Sequence, residues 1–432
     1  MWPLTLKQSL PGILGMLMFG INAFIDAIFI GREIGETALA GVSLVFPLTS
    51  FVFGLSSLIG VGISSYLSIL LGEANFKRAS LVPSVALTLS LMLALIPTLA
   101  GIFFDDQIIS LMGGSGEILE LGSEYFRLRM YLSFFVIYGV ASNMLIRAEG
   151  KMATAMWLAS IGIITNIIFN FLLIVWLDMG VAGAAHATNL GMIAYSLANT
   201  AYYITKKASY PISGRLIYLD KDIVSRTVSV GAPSLIQSSM QLFQQGLIYN
   251  LISKYGNESD IAFYGVVGRL FLVALIPVFG MVRSVQPVFG INYGAGKYDR
   301  VRMANKTFTA GGLLLMGIIG SFMLIFPELA VQALVPEIEL GPDRITLFRL
   351  VMFIIPLLPF IFMTVVLNQS ISNGRIAVGI TILRQLLIFV PLLFLFTYWY
   401  GVSGVYYTIF GTELVVVLIS IWLTRYQLRN IK

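Results

Sequence analysis

One aspartate, Asp26, sits deep in an apolar stretch near the start of the chain, GINAFIDAIFIG. A charged side chain at such depth in a membrane costs roughly 2.5–3.5 kcal/mol on insertion scales, so by default it marks an ion or proton pathway. Asn22 lies one helical turn earlier, on the same face. Farther along, TNIIFNF sets Asn166 and Asn170 at i, i+4, and Thr188 ends the segment GVAGAAHAT. Uncharged oxygens beside a carboxylate make a small site for a proton or a weakly held Na+. Such a site loads and releases a cation and breaks no bonds. Two plainer readings stay open: an Asp held by structural hydrogen bonds alone, and Asn and Thr used to join helices in a membrane.

The second half carries a different set. It has Gln241, Gln244 and Gln245 in one apolar stretch, Arg269 and Arg283 in the next, Arg384 with Gln385 farther on, and Glu413 near the end. Glu413 and Arg384 are candidates either for a neutralising pair or for a part in handling a substrate. Pro11 stands fifteen residues before Asp26 and permits a kink there.

These residues must be positioned by membrane helices. Of 432 residues, 58% are apolar and 11% charged, and the mean hydropathy is +0.90. A soluble domain is nearer 45–50% apolar and about a quarter charged. Apolar runs predict spans at 6–30, 38–71, 79–104, 119–147, 152–177 and 181–205, then 222–253, 259–289, 300–326, 343–370, 376–399 and 402–425. Helix is the state these runs require, because lipid offers unpaired backbone groups no partner. The predicted fold is all-α and polytopic, with an N-terminal six-helix lobe over 1–205, a linker over 206–221 and a C-terminal lobe over 222–432. The linker reads as a surface segment with an amphipathic part lying on the membrane. The first apolar stretch is long enough to be a span, so no cleavable leader is expected.

Twelve spans put both termini on one side, and the 27 Lys and Arg residues then sort as 18 on that side, six opposite and three within spans. By the positive-inside rule both termini face the cytoplasm of a plasma membrane. Arg127 and Arg129 fall on the outer side in this sorting. The pI of 9.3 is thus a topology signal, and nucleic acid is not an expected partner. There is no cysteine and one histidine, which removes thiol nucleophiles, zinc clusters and multi-His metal sites. GINYGAGKY lacks the spacing and the Ser or Thr of a P-loop. No cofactor is expected, and an ion gradient is the expected energy source.

The halves also repeat. Pro11 and Gly72 match Pro233 and Gly294 at an offset of 222 residues, while Gly150 matches Gly374 at 224 and Gly180 matches Gly401 at 221. Six spans per repeat give both halves the same topology, related by an axis along the membrane normal, as in transporters that work by alternating access. Asp26 falls on Ile248 at this offset, so the halves differ chemically.

Along nearly its whole length the sequence resembles the multidrug and toxic-compound extrusion (MATE) family. The matching stretches are IDAIFIGREIGETALAGVSLVFPL, LIRAEGKMATAM, GVAGAAHAT, SVQPVFGINYGAGKYDRV and SISNGRIAVGITILRQLLIFVP. The resemblance implies twelve helices in two lobes that export cationic or amphipathic organic compounds in exchange for protons or Na+. It places ion coupling on Asp26, Asn166, Asn170 and Thr188, with bending of the first span at Pro11 when Asp26 is protonated. An Asp is usual where Asn170 stands, which favours protons over Na+ as the coupling ion. Acids that one branch carries in the seventh and tenth spans are missing, with Gln369 near the second of these, as in the DinF-like branch. Pro11, Asn22, Gln241, Gln245, Arg384, Gln385 and Glu413 are the candidates for lining the substrate path or gating it. The expected state is a monomer in the lipid bilayer. A flippase for lipid-linked substrates, held by Arg269, Arg283 and Arg384, is the alternative.

Overall fold

The computed structural model describes residues 2–332 and 340–431. Apolar runs of this length have no stable state in lipid except a helix that satisfies its own backbone, and the described residues form twelve long helical segments. In the first half these are α1 (Trp2–Ile34), α2 (Glu36–Gly72), α3 (Phe76–Phe103), α4 (Gly116–Tyr131 with Ser133–Ala148) and α5 (Met152–Trp176), then α6 (Gly180–Ile204). The second half starts with α7 (Lys221–Tyr255). It continues with α8 (Glu258–Gly294), α9 (Tyr298–Ile325), α10 (Pro342–Ser370), α11 (Gly374–Tyr400) and α12 (Ser403–Asn430). Nine of them are apolar and long enough to cross a bilayer on composition alone. Gly, Asn, Thr, Ser and Gln dilute α6 and α7, yet their 25 and 35 residues at about 1.5 Å each exceed a hydrocarbon core of roughly 30 Å.

The fourth span departs from the straight helix predicted over 119–147. It bends by 52° between Tyr131 and Ser133. Leu132 leaves the helical region at φ −110°, while the Ser133 hydroxyl donates to the Ala94 carbonyl of α3 at 3.1 Å. The bend sends Gly116–Tyr131 along a different line from the second part, and that line buries Tyr125 and Arg129.

Two compact units form, Leu14–Ser238 and Met1–Ile13 with Ser239–Lys432. The division by contacts falls within α1 and α7. Backbone close approach explains it. Gly12 of α1 lies against α8, where a Cβ would come within 2.6 Å of the Gly280 carbonyl. Thr227 of α7 presses its backbone on Gly62 of α2, and Gly231 meets Leu58 in the same way. The repeat offset of 222 carries Leu58 to Gly280 and Gly62 to Ser284, the second neighbour of Gly12. Each half thus builds an equivalent crossing with the leading part of a helix from the other. The core of the first unit centres on Ile59, Ile63, Leu67, Ile137 and Leu145; that of the second centres on Phe289, Phe308, Phe348, Met316 and Tyr406.

Candidate ion-coupling site and its relatives

Within the unit Leu14–Ser238, three helices bring the candidate polar residues together. Asp26 of α1 is half-buried and accepts from Asn170 Nδ2 of α5 at 2.5 Å on one carboxylate oxygen. Its other oxygen accepts from Asn22 Nδ2 at 3.5 Å. Asn170 also donates to Asn166 Oδ1 at 3.4 Å, and Asn166 donates to Thr188 Oγ1 of α6 at 3.5 Å. Asn166 and Asn170 are 3% and 1% exposed, so polar groups that water cannot reach are answered by one another. One acceptor is left over: the buried Asn22 Oδ1 has no hydrogen-bond partner among the described residues.

Local sequence explains the proximity. Gly191 of α6 packs on α5, where a Cβ would lie 2.8 Å from Asn166 Cβ and equally close to the Gly162 carbonyl. With hydrogen in that place, α5 and α6 approach until Asn166 and Thr188 meet. Pro11 stands inside the continuous helix α1, fifteen residues before Asp26.

Three π-helical turns escaped the sequence. A π-helical turn, Phe171–Trp176, begins directly after Asn170, and another, Ile30–Ile34, begins four residues after Asp26. The two turns pack against each other. A third, Leu383–Ile388, contains Arg384 and Gln385. Such turns insert a residue into the helical ladder and are frequent at functional sites. No Gly or Pro signals them, because tertiary contacts decide whether the extra residue is accommodated.

The sequence reading set Arg129 among the outer-side charges and gave it no place in this cluster. Arg129 is 4% exposed and donates to Asn189 Oδ1 of α6 at 2.8 Å. Among the described residues it has no carboxylate ion-pair partner. Tyr125, one turn earlier, is also buried, and hydrogen bonds run from Thr188 through Asn166 and Asn170 to Asp26. The Arg129 guanidinium lies close enough for its charge to bear on Asp26. The spacing of Gly122, Phe126, Arg129 and Met130 on one apolar face was the available signal; the neighbours Arg127 and Glu124 obscured it.

In the other unit, Arg384 and Glu413 form the neutralising pair, with Arg384 Nε and Nη2 reaching the carboxylate at 2.7–3.0 Å. The Phe362 ring faces the guanidinium at 5.5 Å. Gln244 of α7 donates to the Gln385 carbonyl at 2.7 Å, while Gln241, Gln245 and Arg269 are exposed and Arg283 is half-buried. Ile248, opposite Asp26 in the repeat, is 3% exposed within an apolar core.

Comparisons with known proteins agree with this architecture. The family model described as MatE matches twice, over residues 11–172 and 233–395, two segments displaced by the offset of the internal repeat. The chain is 28% identical to the multidrug export protein MepA of Staphylococcus aureus, covering 94% of this chain and 89% of that one. It is 26% identical to the protein of the same name in Staphylococcus haemolyticus, over 98% and 92% of the two chains. Among solved structures, a crystal structure of MATE in the bent conformation superposes with a TM-score of 0.93, at 24% identity and over 99% and 95% of the chains. By its two family matches and its twelve helices in two lobes, this polytopic membrane protein belongs to the MatE family.

Proposed function

We propose that this chain is a secondary transporter of the plasma membrane that exports cationic or amphipathic organic molecules, working as a monomer by alternating access. Protons flow in the opposite direction, and Asp26 carries them. Similarity to the MepA multidrug export proteins over nearly the full length supports the export reading, and the excess of cations in terminus-side loops supports cytoplasmic termini.

The choice of proton rests chiefly on the groups around Asp26. Amide N–H groups of Asn170 and Asn22 point at the carboxylate, whereas Na+ needs oxygens that converge on it. The nearby Arg129 supplies a fixed positive charge, which also opposes a metal cation. A proton on Asp26 turns an acceptor into a donor, and the unpartnered Asn22 Oδ1 is the acceptor beside it. Protonation then weakens the Asn170 contact, and α1 is free to shift on α5, the two facing π turns absorbing the change of register.

Purified protein in liposomes, with ethidium as cargo, tests this. Dye movement is expected under an imposed pH gradient, none under a Na+ gradient, and none under either with Asp26→Asn in folded protein. Equal pH-driven movement by Asp26→Asn overturns the role of Asp26. No movement by the folded wild type under either gradient overturns drug export in favour of lipid-linked cargo.

A further inference from the structure

The segment joining α6 to α7 is irregular, and it lies along α3. The Ser213 amide donates to the Ser80 carbonyl at 3.0 Å, Ser84 donates to the Arg215 carbonyl, and the Tyr218 amide donates to Thr88 Oγ1 at 3.0 Å. From Ser80 to Thr88 is eight residues, about 12 Å along the helix. The face of α3 so covered continues directly into that span's exposed apolar stripe, Met92 at 52%, Leu95 at 58% and Leu99 at 48%. Ser84 and Thr88 begin this stripe and are its only polar members, each buried under the segment.

The segment turns its own apolar side chains outward. Leu216 and Ile217 are 76% and 72% exposed and Leu219 is 51% exposed. Exposed Lys206, Lys207, Arg215 and Lys221 flank them, and among the described residues none of the four forms an ion pair. The two acids of the segment's end are already engaged, Asp220 and Asp222 by Arg78 at 3.5 and 2.5 Å, and Asp222 also by Arg226 at 3.0 Å. The outward surface is therefore apolar at its centre, and the charges without an ion-pair partner at its rim, among the described residues, are cationic.

We infer that the segment Ser213–Lys221 is a membrane-interface wedge: it replaces lipid on the polar start of the α3 stripe, buries Leu216 and Ile217 at the headgroup–acyl boundary, and binds anionic phospholipid headgroups through Arg215, Lys221, Lys206 and Lys207. Apolar side chains at that boundary reach roughly 5–10 Å into the bilayer. Irregular backbone is tolerated at this level because water and headgroups still serve its amides, as they do not in the hydrocarbon. The occupant is anionic lipid because the rim's cations exceed its acids, and both acids are already paired.

The absence of native cysteine makes the test direct. Ile217→Cys and, as an aqueous control, Lys297→Cys are labelled with an environment-sensitive fluorophore in the full chain and reconstituted in vesicles of phosphatidylethanolamine and phosphatidylglycerol. At position 217 the label is expected to be quenched several-fold more by lipids spin-labelled in the headgroup or upper acyl chain than by aqueous iodide, with the reverse at 297. Equal iodide quenching at both positions overturns the wedge. Spin-labelled phosphatidylglycerol is expected to quench position 217 about twofold more than spin-labelled phosphatidylcholine, a preference lost when the four cations become Gln. Equal quenching by the two lipids in the unaltered chain overturns the anionic partner. Neither readout depends on transport.

Discussion

Asp26 accepts from the Asn170 amide at 2.5 Å. Replacing that donor by an acceptor inverts the chemistry. In Asn170→Asp two carboxylates share the site with the Asn166 and Thr188 oxygens, an oxygen set suited to a hard monovalent cation. Na+ is expected to raise the thermal midpoint of Asn170→Asp by several degrees relative to choline and to leave the wild type unchanged; equal shifts in both proteins contradict the assignment of Asn170 as the selecting residue. The grouping of Asp26, Asn22, Asn166 and Asn170 is legible in the sequence because i, i+4 spacing puts polar residues on one face of an apolar helix. Arg129 is not legible in the same way. It lies in a stretch with Arg127, Glu120 and Glu124 that reads as a polar rim, and the bend at Leu132, a tertiary effect, carries its side chain inward.

At the scale of elements, apolar runs locate the spans to within a few residues, because the hydrocarbon thickness sets their length. The π turns and the bend of α4 depend on packing partners distant in sequence and leave no local mark. The linker is an intermediate case. Its polar composition is evident, but its path is set by a clasp at the foot of α7, where Asp222 joins Arg78 and Arg226 and both guanidiniums lie over the Tyr66 ring at 5.9 and 5.2 Å. Single exposed ion pairs contribute about 0–1 kcal/mol, but this one carboxylate joins the foot of α7 to two cations at once. Asp222→Ala is expected to release the segment, so that trypsin cleaves after Arg215 at least severalfold faster while the spans stay intact. The difference is expected to shrink at high salt, since screening weakens the wild-type clasp as well. Unchanged cleavage in the variant at low salt means that the three hydrogen bonds to α3 hold the segment alone.

At the scale of the whole molecule, a duplicated fold carries unequal chemistry. Each half builds its crossing from backbone contacts at repeat-equivalent positions, but the carboxylate of α1 has the buried Ile248 as its counterpart. The charged groups deep in the other unit, Arg384 and Glu413, neutralise each other at 2.7–3.0 Å. Their side chains are 13% and 11% exposed, so removing one charge strands the other in a medium that solvates it poorly. Breaking a buried pair costs about 3–5 kcal/mol, whereas replacing both partners together is often close to neutral. Glu413→Gln is therefore expected to lower the thermal midpoint clearly, and the double variant Arg384→Gln with Glu413→Gln to recover most of the loss. If coupling resides in the Asp26 unit alone, the recovered double variant retains transport driven by a pH gradient, while Asp26→Asn loses it at unchanged stability. These two variants separate the folding contribution of an intramembrane charge from its transport contribution. A stable double variant that no longer responds to the pH gradient would place part of the coupling in the second unit and contradict a single-carrier mechanism.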